Sequence, residues 1–296
     1  MPNQEIVIEK VKETTKVKDI AMLMKLRLAF LVVLSAVSGW FFAGGSFNLS
    51  FIYLVLGGFL ITGASNGFNQ IIEKDIDAKM KRTANRPLPT GRMSVKTAYI
   101  ISSTSAILGL IFLFQLNFYA GILGLLALFM YVFLYTPLKR ISPWAVFVGA
   151  FPGAIPPMLG AVAVTGKFDM LVGIMFFVQF AWQFPHFWAI AWVSDEDYNK
   201  GGFSLLPSKG RKNTISATWI LLSTLVMIPV GILPYLYDHT GKTSLIVGAI
   251  AGVLFAYIAV KFYFSKDNKD KLARQLMFAS FIYLPIIQFL YVFNQV

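Results

Sequence analysis

Apolar stretches long enough to cross a bilayer recur along almost the whole of this 296-residue chain, and they constrain its fold more than any motif does. A helix needs about 20 predominantly apolar residues to span the hydrocarbon core. Nine stretches qualify, at 28–47, 51–72, 97–114, 118–136, 143–164, 170–193, 214–236, 244–264 and 276–294. Inside a bilayer each backbone polar group must be satisfied within its own segment, so such runs become helices. The expected fold class is therefore all-α, a polytopic membrane protein with nine transmembrane helices around a central apolar cavity. A cytoplasmic, amphipathic arm at 1–27 precedes a single domain over 28–296.

Charge sets the expected orientation. Of the 26 Lys and Arg residues, all but Lys167 and Lys242 fall on one side of the membrane when the N-terminus is cytoplasmic. That is the positive-inside pattern, and it predicts a cell-membrane protein with an external C-terminus and cytoplasmic loops at 73–96 and 194–213. The arm carries Glu5, Glu9, Glu13 and Asp19 among its lysines, which speaks against an organelle transit peptide. A net charge of +12 in a chain that is 57% hydrophobic fits loops facing anionic lipid, not nucleic acid. The absence of cysteine excludes disulfides, thiolate metal sites and iron–sulfur clusters. Only His186 and His239 could supply imidazole, so a His-rich metal site is excluded too. The two long acidic loops, after the second and sixth spans, hint at a parallel four-plus-four repeat and place function at the cytoplasmic face.

The loop after the second span reads NQIIEKDIDAKMKRTANRPLPTG. Asn69, Glu73 and Asp77 recur at i, i+4 and i+8, one face of a helix with neighbours about 6 Å apart. Asn66 can join that face, whereas Asp75 points elsewhere. Two aligned carboxylates at a membrane boundary repel each other unless a cation lies between them. Magnesium suits that place, because it takes one or two protein carboxylates, keeps waters and completes its octahedron with phosphate oxygens. Arg82 and Arg86, one helical turn apart, and Arg92 beyond the Pro87–Leu88–Pro89 break offer guanidinium forks matched to phosphate. Spacing alone leaves a plainer alternative open, a solvated loop whose arginines pair with its own carboxylates or with lipid headgroups.

The full pattern N-x-x-x-E-x-x-I-D-x-x-M-x-R-T-x-x-R-x-x-x-x-G, from Asn69 to Gly91, resembles the signature of the UbiA-type intramembrane prenyltransferases. The resemblance covers essentially the whole chain and implies nine helices and cytoplasmic acidic loops. It also implies that Asn69, Glu73 and Asp77 hold Mg2+ against an isoprenyl diphosphate, with Arg82 and Arg86 on the diphosphate. Glu73 stands where the superfamily usually has Asp. Tyr135 and Lys139, in YTPLKR, match a Y-x-x-x-K element whose lysine contacts the diphosphate. An interfacial aromatic with a snorkelling lysine is the plainer reading of that pair. The superfamily has a second D-x-x-x-D after the sixth span, where this chain reads VSDEDYNKGGFSLLPSKG. Aligned through Gly201, Asp197 takes the second aspartate's place and Val193 the first. Asp197 is the expected metal ligand from this loop, with Asp195 in reserve.

Gln179, Gln183 and His186 fall at i, i+4 and i+7, one polar face of the aromatic-rich segment VQFAWQFPHFWAIAW. Polar faces of membrane helices look into a bundle or cavity. His186 is read as a haem-iron ligand or as an interhelical hydrogen bonder; His239, in an external loop, is assigned no role. The string PHFWAIAW followed by DYNKGGFSLLP resembles the haem-farnesylating branch of the superfamily more than its quinone or chlorophyll branches. That branch implies transfer of farnesyl from farnesyl diphosphate to a vinyl group of protohaem IX. Water then adds to the neighbouring carbon, giving the hydroxyethylfarnesyl group of haem O. The implied partners are those two substrates, the lipid bilayer and a transient haem-modifying or oxidase-assembly protein. Pro152, Pro156 and Pro157 are expected to kink or break the fifth span and open cavity space. Two alternatives stand beside this reading, a quinone-precursor prenyltransferase and an ion-coupled transporter. A transporter should carry charge at mid-membrane, yet nearly all the acids lie at one face.

Overall fold

The computed structural model describes residues 15–296, so residues 1–14 of the expected arm lie outside the described part. The described chain is helical, with one isolated bridge pairing Thr240 with Gln295. Eight helical spans are long and apolar enough to cross a membrane. They are α3 (Leu49–Ile72), α5 (Val95–Leu116), α8 (Ala145–Thr165), α9 (Met170–Val193), α13 (Lys242–Phe264), α14 (Lys269–Phe293) and two composite spans. One composite runs from α6 (Phe118–Phe129) through a π-helical turn at Met130–Tyr135 into α7 (Thr136–Leu138). The other joins α11 (Thr214–Val230) to α12 (Leu233–Leu236). α1 (Lys16–Met24) and α2 (Leu26–Phe42), bent by 46° to each other, qualify together as a ninth. A third of the expected arm is thus a packed element: α1 lies against α3, and its Leu23 is fully buried.

Span starts follow the caps written in the sequence. The side chains of Asn48, Ser94, Asn117, Asp169 and Asn213 each accept a first-turn backbone N–H, ending the loop and starting the helix. The spans close into a ring in chain order, and α14 returns to pack on α2. α2 also packs on α8 across the ring, at a close approach that requires glycine on both helices. A Cβ on Gly39 would overlap the carbonyl of Pro157, and one on Gly160 that of Ala36. Small residues at such crossings let backbones meet where lipid offers no hydrophobic drive.

α8 runs through its three prolines without a break. Proline removes an N–H, so Pro157 frees the carbonyl four residues earlier. That carbonyl, Gly153 O, accepts Gln179 Nε2 from α9 at 3.3 Å. A side chain from the neighbouring span thus satisfies the gap left by the imino acid, as a low-dielectric setting demands.

The expected repeat has a local counterpart. α3 and α9 are both 24 residues long. Their C-caps are Glu73 (φ −97°, ψ 9°) and Ser194 (φ −98°, ψ 11°), and a short helix follows each. These are α4 (Lys74–Asp77) and α10 (Asp195–Gly201).

Candidate active site

The two carboxylates expected to share a face do so, although the helix carrying them is interrupted. α3 closes at Glu73, whose N–H binds Asn69 O at 3.0 Å, and α4 restarts one residue on. Asn69, Glu73 and Asp77 are buried to 2%, 3% and 0% exposure, whereas Asp75 is exposed. A charge in such a place needs a partner. Arg86 Nη1 stands 2.6 Å from Asp77 Oδ2, and Lys139 Nζ stands 2.6 Å from Glu73 Oε1. Burial pushes the Asp77 carboxyl above its ordinary pKa against the pull of Arg86. Burial likewise lowers the Lys139 ammonium, with Glu73 opposing it.

The π-helical turn explains how Lys139 arrives there. π-bulges collect at functional sites because the extra residue re-aims the side chains beyond it. Thr136, at its end, donates to Tyr131 O at 2.8 Å and accepts Asn69 Nδ2 at 3.2 Å, tying this span to α3. The Lys139 ammonium then lies 5.1 Å from both the Tyr135 and the Phe203 ring centroids, an aromatic bracket for a cation.

Sequence reasoning missed two members of this group. One is Phe203. The other is Lys25, counted there only as a charge of the arm. Lys25 has φ 49°, a left-handed conformation that costs an ordinary residue roughly 1–2 kcal/mol. Surrounding bonds hold it: Gln70 Nε2 donates to Met22 O and Leu23 O at 3.0 and 2.7 Å, and Asn66 Nδ2 donates to Met24 O at 3.3 Å. Its Nζ reaches Asn69 Oδ1 at 3.5 Å and feels Glu73, Asp77, Arg86 and Lys139 electrostatically. A lysine two residues ahead of an arginine at the mouth of the first span was the only available signal.

The remaining expected residues sit differently. Arg82 is exposed and lies 5.6 Å from the Tyr198 ring, apart from Arg86, because residues 78–94 form turns instead of a continued helix. Arg92 braces α1 through Asp19 at 3.0 Å and holds Asn85. Asp197 faces the same loop from the other side. Its Oδ1 and Oδ2 accept the backbone N–H groups of Lys81 and Arg82 at 3.1 and 2.9 Å. Those bonds hold its carboxyl below the ordinary range. Asp195 is half-buried in the first turn of α10, and burial raises its pKa.

The donor chemistry fits magnesium. Asp77 Oδ1 and Asn66 Oδ1 are buried acceptors that meet no donor among the described residues. Hard dications take such oxygens, and magnesium leaves the rest of its shell to water and phosphate. Among the described residues no three acidic or histidine side chains converge on one point, so the protein alone does not complete a cage.

His186 lies deeper, roughly 10 Å along α9 from its C-terminal end at 1.5 Å per residue. It is 6% exposed and stacks on Trp182, with ring centroids 4.2 Å apart. Its Nδ1 is 2.7 Å from Ser280 Oγ, and that hydroxyl donates to Met277 O at 2.6 Å. The hydroxyl proton being used there, Nδ1 carries the imidazole hydrogen and Nε2 keeps its lone pair. Among the described residues nothing bonds Nε2. Such a fixed tautomer suits a metal-binding imidazole. The opposite face of α9 is aromatic. Phe177, Phe180, Phe184 and Trp188 line a recess of about 670 Å³ shared with Trp219 of α11.

The sequence matches the UbiA prenyltransferase family over residues 30–282. The chain belongs to the UbiA prenyltransferase family. Among its UbiA relatives, the protoheme IX farnesyltransferase of Cytophaga hutchinsonii is 46% identical, over 93% of this chain and 96% of the relative. That of Christiangramia forsetii is 44% identical, over 94% and 93%. Two solved structures share the fold. A digeranylgeranylglyceryl phosphate synthase superposes with TM-score 0.78 at 20% identity, covering 94% of this chain and 98% of its own. A UbiA homologue from Archaeoglobus fulgidus, bound to GPP and Mg2+, gives TM-score 0.64 at 14% identity, covering 93% and 99%.

Proposed function

We propose that this chain is a magnesium-dependent protohaem IX farnesyltransferase that forms haem O in the cell membrane, its N-terminus cytoplasmic and its C-terminus external. One observation carries the reading. A buried carboxylate pair bracketed by lysine and arginine opens onto a bundle that also holds a neutral, tautomer-fixed histidine. The 46% identity to a protoheme IX farnesyltransferase supports the choice of acceptor over a quinone precursor.

Asn69, Glu73 and Asp77 would hold the metal, with Asn66 beside them. Asp197 braces the loop from across the site, where its carboxylate and that of Asp195 are the second loop's contribution. Magnesium, when bound, neutralises diphosphate charge and stabilises the leaving group. Arg86, Lys139 and Lys25 bring positive charge to the same place, where the departing diphosphate gains it, and their preset positions lower the barrier to carbon–oxygen cleavage. Arg82 waits at the mouth, over Tyr198, for the incoming diphosphate. Tyr135 turns its ring to Lys139 and narrows the space where the allylic cation forms. The apolar walls withhold water from that cation. His186 binds haem iron through Nε2 and fixes the macrocycle, so that one vinyl group, as π-nucleophile, meets farnesyl C1. The apolar product leaves to a haem-modifying or oxidase-assembly partner.

The test is incubation of purified protein with protohaem, farnesyl diphosphate and magnesium, followed by mass spectrometry of the extracted haem. The expected product is haem O, lost on chelation and restored by magnesium. A quinone-type prenyl acceptor consumed in place of haem would overturn the reading. His186→Ala should lower haem affinity at least about tenfold, since removing even a group that merely supports a metal ligand costs that much, and shift the Soret band, while farnesyl diphosphate affinity holds.

A further inference from the structure

Gln183 is 3% exposed, and among the described residues its amide makes no hydrogen bond. Its neighbours on the same face are satisfied. Gln179 donates to Gly153 O at 3.3 Å and accepts Gln288 Nε2 at 2.9 Å. Gln288 in turn accepts Ser35 Oγ at 3.2 Å. His186 is bonded to Ser280. Its nitrogen and oxygen are not among the fully enclosed unpaired atoms, so the amide still reaches open space. An amide held there without a protein partner has room for a water or a ligand group. The position is also built. The Gln183 amide lies directly over Gly153 of α8, where a Cβ would push it aside, so glycine there lets the amide rest where it does. Gln183 stands one turn from His186, within a side chain's reach of a macrocycle held by that histidine.

We propose that Gln183 is a positioning residue that holds the one water added to the acceptor. The inference rests on the farnesyltransferase reading above. The reaction requires this water in a cavity otherwise arranged to keep water out. Farnesyl C1–O breaks, and its electron pair leaves with the diphosphate. The vinyl π pair forms the new bond from its terminal carbon to farnesyl C1, which leaves a cation on the carbon next to the pyrrole. The water oxygen attacks that carbon, and its released proton goes to the departing diphosphate, the strongest base the reaction generates. Without a held water the cation loses a proton to the same diphosphate, and the product is a farnesylated diene lighter by one water. An amide suits the task because it both donates to the water oxygen and accepts from its hydrogen, and it carries no charge into the membrane.

The experiment compares wild type, Gln183→Met and Gly153→Ala, each given protohaem, farnesyl diphosphate and magnesium, and reads the ratio of hydrated to dehydrated farnesyl-haem by mass. Methionine keeps the side chain's length and removes both hydrogen-bonding atoms. Gly153→Ala keeps the glutamine and displaces its amide, so it serves where Gln183→Met yields no folded protein. The expected result is a ratio at least tenfold lower in the variants, a readout that lost stability alone does not move. A wild-type ratio in a folded variant overturns the proposal. So does a folded variant that binds farnesyl diphosphate and makes neither product, since the amide would then serve bond formation itself. If wild type makes no farnesyl-haem of either mass, the farnesyltransferase reading fails, and the inference with it.

Discussion

The loops that follow α3 and α9 leave their helices with the same backbone geometry and use their acids in opposite ways. At the shared cap position one loop has Glu73 and the other Ser194. Four residues on, one has Asp77 and the other Tyr198. The first loop buries Glu73 and Asp77 almost completely and exposes only Asp75, while Asp195, Glu196 and Asp197 of the second keep contact with solvent. The difference follows from where the cations are. Lys25, Arg86 and Lys139 gather around the first loop, and a buried carboxylate survives only beside such partners. Among the described residues no matching cluster surrounds the second loop, so its acids stay outside, and Asp197 instead accepts two backbone N–H groups of the first. One loop holds charge and its partner holds that loop in shape.

The largest expected effect separates the two uses. Asp77→Asn and Glu73→Gln should each lower kcat/KM for haem O formation about 10³-fold, the scale of losing a preorganised electrostatic contact. Asp75→Asn should leave it unchanged. An Asp75 variant as inactive as the Asp77 variant, read in the same mass-spectrometric assay, would mean that the shared face has no functional meaning.

Lys139→Met removes the partner of a buried glutamate. It should destabilise the protein by about 3 kcal/mol, seen as a lower thermal midpoint in detergent, besides slowing turnover. A midpoint equal to wild type would show that Glu73 finds other partners.

Asp197→Ala sharpens the comparison most directly. As a brace it should cost about tenfold in turnover and about 1–2 kcal/mol locally, and raise hydrogen exchange at Lys81 and Arg82. If turnover instead falls as far as in Asp77→Asn, with exchange unchanged, Asp197 is a metal ligand and the loops are functionally alike. The smallest perturbation tests the side both loops share. A cysteine replacing Lys209 should react with an impermeant reagent only after the membrane is opened, and labelling from outside would invert the orientation.

Much of the fold was legible because bilayer physics acts on local sequence. Apolar run length, Asn, Ser and Asp caps and the bias of Lys and Arg are properties of short windows, and eight of the nine spans began within two residues of where they were expected. The last, α14, begins seven residues earlier, because its first turns carry charge at the cytoplasmic end. The face shared by Asn69, Glu73 and Asp77 survived the break at Glu73, since a helix that restarts after one residue still brings the positions 4 residues apart to one side. The alignment of Asp197 through Gly201, by contrast, is offset by one residue from the match of the two helix ends. A cap is set by backbone hydrogen bonding, which the spacing of acids does not encode.

By itself, then, the sequence determined that this chain is a bundle of membrane-spanning helices with its acids, its motif arginines and one polar helix face at definite places along it. Only the tertiary structure decided which charges meet. Lys25 reaches Asn69 across 44 positions, and Asp197 reaches Lys81 across 116. It also decided which of three polar side chains on α9 was left open. Gln179 and His186 found partners on α8 and α14, while the Gln183 amide, set against Gly153, makes no hydrogen bond among the described residues. Local periodicity places a side chain on a face. What stands opposite depends on how distant helices close the ring, and the partner across that gap sets a buried polar group's charge, tautomer and chemistry.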